Sequence, residues 1–408
     1  MTPNLPRPFL PYGRQTIEDD DIKAVVEVLK GDWLTSGPAV EAFEQALAKR
    51  VGAAHAVVCS SGTAALHLVA LALELKAGDV VFVPAITFVA TANAARYVGA
   101  EVVFVDVDPA NGLMDLECLV EALEACSAPG LRMISPVHLM GQCLNMLSLS
   151  RIADDYDAVV VEDACHAIGT IYLDDTGIMV PVGACKHSEM AVFSFHPVKT
   201  IAMGEGGAVM TNNEKLAERM RLMRSHGINR KSEYFELRDA GFDQTGAVNP
   251  WYYEQTDLGF NYRATDIQCA LGLSQLRKLD RFVDARRSLA AGYDQALEEL
   301  SDIVTPVSRS LDCVPAWHLY VVLIDFNKLG FERSELCRAL AQEGIGTQVH
   351  YIPVYHQPYY RRTNGTVKLR GAEDYYARAL TLPLFPDMSI IDVDRVADTL
   401  RSLLLAPR

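Results

Sequence analysis

The sequence of 408 residues lacks an excess of positive charge. Lysine and arginine together number 37, against 52 aspartates and glutamates, which gives a formal net charge of −15. This balance opposes general binding to nucleic acid or to an anionic membrane, because both depend on a basic protein face. An anionic substrate must therefore be held by locally placed basic groups and backbone amides.

The sequence also lacks a long apolar run, and no stretch approaches the length of a membrane-spanning helix. Its first residues, MTPNLPRPFLPYGRQ, do not combine a charged region with an apolar core, so we expect no secretory signal. No internal repeat or low-complexity tract is present. Since 50% of the residues are hydrophobic, the chain can build a sizeable core as two packed domains or one large one.

Paired cysteines are missing as well. The nine cysteines include no CxxC pair, and several lie in apolar or helical stretches, which predicts reduced thiols in a cytoplasmic protein. Cys165 with His166, and Cys185 with His187, match no zinc-binding spacing. We therefore expect neither a disulfide framework nor a metal site.

From residue 55 onward, short apolar runs alternate with segments of helical character. The apolar runs have the length of strands and are HAVVCS, DVVFVP, EVVFVDV, LRMISPV and AVVVED. The helix-like segments between them are 63–75, 88–98, 115–125 and 148–156. This alternation predicts an α/β fold with βα units around a mostly parallel sheet. Ligands of such open sheets bind at the carboxyl ends of the strands, so the residues just after each run are site candidates.

Two helices are predicted before this region. Thr16 and Asp19 suggest a capping box for the first helix, and Gly31 ends it. The loop WLTSGPAV then leads into the second helix.

After an irregular stretch at 228–255, a long amphipathic helix is predicted to begin near Thr265 or Asp266. We place the domain boundary just before it, which gives a large domain at 1–258 and a small C-terminal α+β domain at 259–408. The small domain is predicted to contain strands at 318–324 and 346–352 and helices near 334–343 and 390–404.

Residues 191–207, AVFSFHPVKTIAMGEGG, contain the first candidate for chemistry. A strand rich in β-branched and aromatic residues is broken by His196 and Pro197 and followed by a glycine-rich turn. Lys199 then lies at a strand end, where desolvation lowers the pKa of an amine and makes it a nucleophile toward a carbonyl. The alternative is an ordinary solvated surface lysine.

The second candidate is Asp163, which ends the apolar run AVVVED. A buried carboxylate without a partner is costly, so this one needs a cation, and a protonated pyridine nitrogen would serve. An amine for an aldehyde and an acid for a ring nitrogen are the two protein groups that pyridoxal phosphate chemistry requires.

Two further features follow predicted strands. Residues 60–63, SSGT, begin a helix whose free amides and hydroxyls could bind a phosphate, although plain N-capping accounts for the same residues. Phe88 lies at the start of another helix, where it could be part of the core or a flat surface for a ring to stack on.

With these residues in this order, the sequence resembles the sugar aminotransferase family of pyridoxal-phosphate enzymes, which have the aspartate-aminotransferase-type fold. The likeness extends from about YGRQ to LPLFPDMSIIDVDRV, nearly the whole chain. It rests on SSGTAALHL, PAITFVATANA, VEDACHAIG, FSFHPVKTIAMGEGGAV, RSHGINR, LGFNYRATDIQCALGLSQL and QVHYIPVYHQPYY.

The resemblance implies roles for individual residues. Lys199 matches the lysine that bonds to the cofactor's aldehyde and later moves a proton between substrate carbon and cofactor. Asp163 matches the acid that keeps the pyridine nitrogen protonated, and Phe88 the aromatic residue stacked on the ring. Gly62, Thr63 and Ser194 align with ligands of the cofactor phosphate.

The same resemblance implies a homodimer with shared active sites. Asn261 matches an asparagine that reaches the phosphate of the neighbouring subunit's cofactor. His166 stands where the family often has glutamine, at the phenolic side of the ring, and this departure leaves its contact open.

Within the family, several of these motifs look most like the UDP-4-amino-4,6-dideoxy-N-acetyl-β-L-altrosamine transaminases of pseudaminic acid synthesis. Such an enzyme moves an amino group from L-glutamate to C4 of a UDP-linked 4-keto-6-deoxy sugar. Relatives that act on C3, or on GDP- and dTDP-linked sugars, share nearly all the same motifs. Candidates for lining the nucleotide sugar are Trp33, His318, His350 and Tyr351, with Arg230 for the pyrophosphate; each could equally be structural.

Two other functions remain as alternatives. Relatives with histidine in place of the lysine are sugar dehydratases, and Lys199 argues against that chemistry here. The second alternative is a cofactor-binding protein that has lost catalysis, against which the retention of both Lys199 and Asp163 argues.

Overall fold

The computed structural model describes residues 8–330 and 332–405. Its centre is a seven-stranded sheet in the order β1-β9-β8-β5-β4-β2-β3, in which only β9 runs against its neighbours. The strands of this sheet are β1 His55–Cys59, β2 Val80–Pro84, β3 Glu101–Val105, β4 Arg132–Ile134, β5 Ala158–Asp163, β8 Met190–Ser194 and β9 Gly207–Thr211. Between β5 and β8 in the chain, β6 Ile171–Leu173 and β7 Met179–Pro181 pair with each other outside this sheet. The predicted α/β class with a mostly parallel sheet is confirmed.

The central strands are almost wholly apolar because helices cover the sheet. Every residue of β2 and β9 is buried, as expected for strands with no solvent-facing side. Packed against the sheet strands are α2 Pro38–Val51, α3 Gly62–Ala72, α4 Val89–Tyr97, α5 Leu116–Ala125, α6 Met146–Asp155 and α7 Glu214–Arg224. Strand boundaries predicted from the apolar runs therefore agree closely with the structure.

The C-terminal part contains a separate antiparallel sheet in the order β12-β14-β15. The remaining strands are β10 Ile228–Asn229, β11 Glu254–Gln255, β12 Val304–Pro306, β13 Cys313–Val314, β14 Tyr320–Ile324 and β15 Ala379–Leu382. The remaining helices are α1 Asp19–Lys30, α8 Arg238–Gly241, α9 Asp266–Leu276, α10 Leu279–Ala296, α11 Phe326–Leu329, α12 Arg333–Gln342, α13 Pro358–Asn364, α14 Arg370–Arg378 and α15 Ile390–Leu405. Among the residues described, no helix is long and apolar enough to cross a membrane.

Helix α9 packs on α1 and α2, whereas α10 packs on α15 of the C-terminal part. The domain limits at 1–258 and 259–408 stay a prediction.

The predicted first capping box is wrong. Helix α1 is capped by Glu18 and Asp21, and Thr16 instead donates its hydroxyl to Asp387 Oδ1 at 2.8 Å. Thr16 lies two residues before the N-cap Glu18 and therefore cannot cap the helix. Its hydrogen bond instead ties the N-terminal segment to the C-terminal part.

The long helix predicted from residue 265 begins where expected, with Thr265 as its cap, but it is two helices. At the break, Lys278 turns its ammonium toward Asp20 and Asp21, at 2.7 Å from each. This ion-pair cluster fixes α1 at the junction of α9 and α10.

The strand predicted at 346–352 is also wrong. Its regular pairing is limited to one bridge between Gln348 and Thr381, and the carbonyl of His350 accepts from the Tyr375 hydroxyl at 3.1 Å. Apart from this bridge, side-chain hydrogen bonds, and not pairing with a neighbouring strand, hold this segment with its alternating apolar residues.

The start of α2 depends on a carboxylate from α9. Asp266, which is 1% exposed, accepts from the amide of Gly37 at 2.5 Å and from that of Ala39 at 2.8 Å. Between these, Pro38 at the first helical position has no N–H to satisfy. One buried side chain thus caps a helix that is distant in sequence.

We expect Asp266→Ala to lower the free energy of unfolding by about 2 to 4 kcal/mol, because two partly buried amides lose a charged acceptor. Urea unfolding followed by circular dichroism measures this. Asp280→Ala is the matched control, since it removes an exposed pair with Arg50 and should cost less than about 1 kcal/mol. Equal losses in the two variants would contradict the capping role of Asp266.

Candidate active site

A cavity of about 790 Å³ opens where the parallel strands end. Strand β5 ends at Asp163, β8 at Ser194, and β1 leads directly into the start of α3. Because parallel strands share their carboxyl edge, these residues meet there. From the predicted set, the cavity is lined by Gly62, Thr63, Phe88, Asp163, His166, Ser194, Lys199, His318, His350 and Tyr351.

Asp163 is 5% exposed, and its carboxylate is held by two donors. The Thr91 hydroxyl donates to Oδ2 at 2.6 Å, and the backbone N–H of Cys165 donates to Oδ1 at 3.2 Å. Among the described residues it has no ion-pair partner within salt-bridge distance. A buried anion fixed in this way and facing a cavity is suited to a cationic atom of a ligand.

Lys199 is placed by a tight turn after β8. Its own N–H donates to the His196 carbonyl at 2.8 Å, and the N–H of Met203 returns to the Phe195 carbonyl at 3.0 Å. The side-chain amine makes no hydrogen bond or ion pair with any residue that the structure describes. Burial lowers its pKa, although the nearby Cys165 and Asp163 act in the opposite direction. The amine is therefore more available as a neutral nucleophile than a surface lysine.

The start of α3 combines a cap with free amides. The Ser61 side chain accepts from the Ala64 N–H at 3.1 Å, so plain N-capping is present, while the N–H groups of Gly62 and Thr63 lie in the first turn, where a helix offers no acceptor. A Cβ on Gly62 would lie 2.9 Å from the Ser194 Cβ. Glycine therefore lets the end of β8 approach the helix start, and amides, hydroxyls and the helix dipole together suit an anion.

Phe88 caps α4 and is 55% exposed. Its ring faces the cavity, 6.1 Å from that of Tyr351 between centroids. Of the two interpretations left open by the sequence, a core position does not fit this exposure.

Buried histidines form another wall of the cavity. The rings of His166 and His318 are 4.4 Å apart, and Nδ1 of His350 lies 2.8 Å from the Thr381 hydroxyl. Burial, with the Lys199 charge as a smaller cause, lowers the pKa of His350 to about 3. Burial likewise holds the pKa values of His166 and His318 well below the ordinary range. This wall is neutral at physiological pH.

The predicted residues Trp33, Arg230 and Asn261 do not line this cavity in the part of the chain that the structure describes. Trp33 is 60% exposed, the Arg230 guanidinium lies 5.4 Å from the Tyr253 ring centre, and Asn261 Oδ1 accepts from Arg263 Nε at 3.1 Å. Their predicted roles stay predictions.

The structure adds residues that the sequence did not single out. Thr91 could have been found from its spacing to Phe88, because positions three apart share one face of α4. Tyr12, Glu205 and Gln357 also line the cavity. They come from irregular segments, where no periodic pattern marks them.

Comparison with known proteins agrees with this geometry. A model of the DegT/DnrJ/EryC1/StrS aminotransferase family matches residues 15–401. The chain is 37% identical over 398 residues, 97% of each chain, to the spore coat polysaccharide biosynthesis protein SpsC of Bacillus subtilis strain 168.

Solved structures with the same fold include sugar aminotransferases. Helicobacter pylori PseC, described as an aminotransferase involved in pseudaminic acid biosynthesis, superposes with a TM-score of 0.85 at 29% identity over 97% of this chain and 99% of that one. The putative sugar aminotransferase Spr1654 of Streptococcus pneumoniae, in its PLP form, gives 0.84 at 25% identity over 97% and 98%.

The lowered pKa of Lys199 predicts a pH-dependent cost to stability. Between its folded pKa and the unfolded value of 10.5, the unfolded chain binds more protons, so stability rises with pH across that window. We expect ligand-free Lys199→Met to resist urea better than the parent protein at pH 7. The difference should shrink as the pH approaches about 10.

Lys278→Met is the matched control, because burial lowers the pKa of Lys278 but hydrogen bonds with Asp20 and Asp21 outweigh it and hold that pKa above its usual value. This control should be less stable than the parent at pH 7. A Lys199→Met protein destabilised to the same extent would refute the assignment of a desolvated, unpaired amine.

Proposed function

Because the chain belongs to the DegT/DnrJ/EryC1/StrS aminotransferase family, whose members depend on pyridoxal phosphate, we propose that it aminates a nucleotide sugar. The amino group moves from L-glutamate to C4 of a UDP-linked 4-keto-6-deoxy-N-acetylhexosamine, in a synthesis of the pseudaminic acid type. The setting we propose is the cytoplasm, which agrees with nine cysteines that are all free.

One observation carries this proposal. Within the described residues, Asp163 is a buried carboxylate without a cation and Lys199 is an amine without a partner, and both face the same cavity. A ligand with a basic ring nitrogen and an aldehyde satisfies both groups at once, and pyridoxal phosphate has both.

The other lining groups fit the remaining parts of this cofactor. Gly62, Thr63 and Ser194 would hold its phosphate at the start of α3. Phe88 offers a ring face, and His166 lies on the wall left for the phenolic side. The close approach of Gly62 to Ser194 leaves this cradle with no room for a larger residue.

When bound, the cofactor supplies an electron sink that makes a proton on the amine-bearing carbon removable. The protein's part is positioning and proton transfer. Thr91 and the Cys165 amide fix the Asp163 carboxylate, and Lys199 Nζ can carry a proton because burial lowers its pKa. The neutral His318 and His350 can donate to or accept from sugar hydroxyls without adding charge.

The identity of the nucleotide sugar is supported by similarity to PseC and by the motifs that line the cavity. A second candidate is another nucleotide keto sugar, GDP- or dTDP-linked or aminated at C3. Identity to SpsC, a spore coat polysaccharide protein, is 37%, against 29% to PseC, and this difference favours the second candidate enough to require a direct test.

We also propose a homodimer with shared active sites. Asn261 is exposed and does not line the cavity of its own chain in the described part of the structure, and Leu258, three residues before it, is 83% exposed. An asparagine in this position is available to the cavity of a second subunit, which is the role that the family resemblance implies. Trp33 and Arg230 also lie outside the described lining of this cavity. We propose that they, too, reach the cavity of the second subunit.

Purified protein loaded with pyridoxal phosphate should be yellow, and its absorbance band should bleach on addition of L-glutamate. Lys199→Ala should lose both the band of the lysine-bound cofactor and turnover. A panel of UDP-, GDP- and dTDP-linked 4-keto-6-deoxy sugars then identifies the acceptor by mass spectrometry of the amino sugar. Turnover by Lys199→Ala, or loss of a sugar hydroxyl without consumption of glutamate, would contradict the proposal.

Shared sites predict complementation between inactive variants. Lys199→Ala and Asn261→Ala homodimers should each be impaired, and mixed subunits should regain about a quarter of full activity, because half of the dimers then carry one intact site. Refolding the two variants together and assaying turnover measures this. Mixtures that never exceed the sum of the separate variants would exclude a site completed by Asn261 of a second subunit.

A further inference from the structure

The hydrogen bonding of His166 starts from an unusual backbone conformation at Met140. Met140 is buried and has a φ of 62°, a left-handed value that is uncommon for a residue other than glycine. Its N–H points at His166 Nδ1 at 3.3 Å, and its carbonyl accepts from the His318 N–H at 2.8 Å. The turn that contains Met140 therefore links both histidines of the cavity wall.

This contact determines which ring nitrogen of His166 carries the proton. A peptide N–H can only donate, so Nδ1 must be the acceptor, and the proton of the neutral ring lies on Nε2. Burial, with smaller contributions from Lys199 and His350, keeps the pKa of His166 well below its usual value. The ring is thus the neutral Nε2–H tautomer.

The Nε2–H group has its acceptor in Tyr351. Tyr351 Oη lies 3.2 Å from His166 Nε2, and burial raises the pKa of this phenol, so the hydroxyl keeps its hydrogen. Since Oη accepts from His166, that hydrogen must point elsewhere, and among the described residues it has no acceptor. Tyr351 lines the cavity, where a ligand oxygen can accept it.

We infer that Tyr351 is the hydroxyl donor to the phenolic oxygen of the cofactor, and that His166 is the positioning residue that orients it. The inference rests on the proposed placement of pyridoxal phosphate. In that molecule the phosphate-bearing and phenolic substituents flank the aldehyde carbon on opposite sides. With the phosphate held at the start of α3, the phenolic side would face the wall of His166 and Tyr351.

The same geometry would let glutamine replace histidine at position 166. A glutamine oxygen can accept from the Met140 N–H while its amide nitrogen donates to Tyr351, which reproduces the pattern of the Nε2–H imidazole. In the other tautomer, or in the cation, Nδ1 of His166 carries a hydrogen. Its N–H would then oppose the N–H of Met140, and neither group could accept. What the position requires is one acceptor and one donor in fixed directions.

The tautomer can be measured in the full-length protein without cofactor. Two-dimensional ¹⁵N NMR of histidine side chains should show His166, assigned by its loss in His166→Gln, as neutral Nε2–H between about pH 6 and pH 8. An Nδ1–H ring, or a cation at neutral pH, would overturn the inference. This result does not depend on the activity of the enzyme.

The donor can be tested through the absorbance of the loaded protein. When the nitrogen that links Lys199 to the cofactor loses its proton, the phenolic oxygen no longer has a positive charge beside it. A hydrogen bond to that oxygen therefore stabilises the deprotonated form of the lysine-bound chromophore. Tyr351→Phe should therefore raise the pH midpoint of the absorbance change by roughly one unit. His166→Leu should raise it in the same direction, and His166→Gln should restore it.

Tyr360→Phe is the matched control, because it removes a buried hydroxyl that donates to Asn93 at 2.8 Å, and its midpoint should stay unchanged. The substitutions leave the other titratable neighbours in place: Tyr12, Asp163, Cys165, Lys199, His318, His350 and Tyr375. If His166 acts through Tyr351, the double variant His166→Leu/Tyr351→Phe should match Tyr351→Phe alone.

A shift in His166→Leu but not in Tyr351→Phe would mean that His166 itself bonds the cofactor, and this would overturn the inference. A parent protein that binds no pyridoxal phosphate would instead refute the proposed function. In that case the NMR measurement would still decide the pairing of His166 with Tyr351, while the assignment of the cofactor as its target would fall.

Discussion

The site depends on an electrostatic imbalance at the end of β5. Asp163 is buried with two hydrogen-bond donors, and the part of the chain that the structure describes gives it no cation. A buried carboxylate in this position is costly unless a positively charged group binds beside it. The rest of the cavity does not neutralise this carboxylate, since the histidine wall is neutral and Lys199, an amine of the same cavity, has a lowered pKa. The protein therefore supplies one fixed charge and leaves its balance to the ligand.

Much of this arrangement could be predicted from sequence because it follows from burial. The runs that became β2 and β5 are apolar since the sheet is covered, and Asp163 stands out only because it ends such a run. The tight turn at Lys199 was marked by proline and glycine. Local composition predicts where a residue lies in the fold when burial determines that composition, as it does in these strands.

The failures arise where a residue's partner is distant in sequence. Nothing near 346–352 indicates that its backbone is held by Tyr375, so its alternation resembled a strand. The spacing to Phe88 could have placed Thr91 near the site, but its role as a hydrogen-bond donor comes from Asp163. The tautomer of His166 likewise comes from the backbone of Met140. Asn261 is a different case, because its predicted partner belongs to another subunit, which no folding of one chain can supply.

The two halves of the cavity have separate origins in the chain. Apart from Tyr351 and Asn261, the residues proposed for the cofactor lie between 62 and 199, on or beside the central sheet. The segment 348–352 is instead anchored to the C-terminal part, through Thr381 of β15 and Tyr375 of α14. The segment 348–352 can therefore be exchanged between relatives without changing the residues of the central sheet. The recipient would keep the residues of the central sheet that are proposed for the cofactor and would receive the donor's version of the proposed sugar contact at His350.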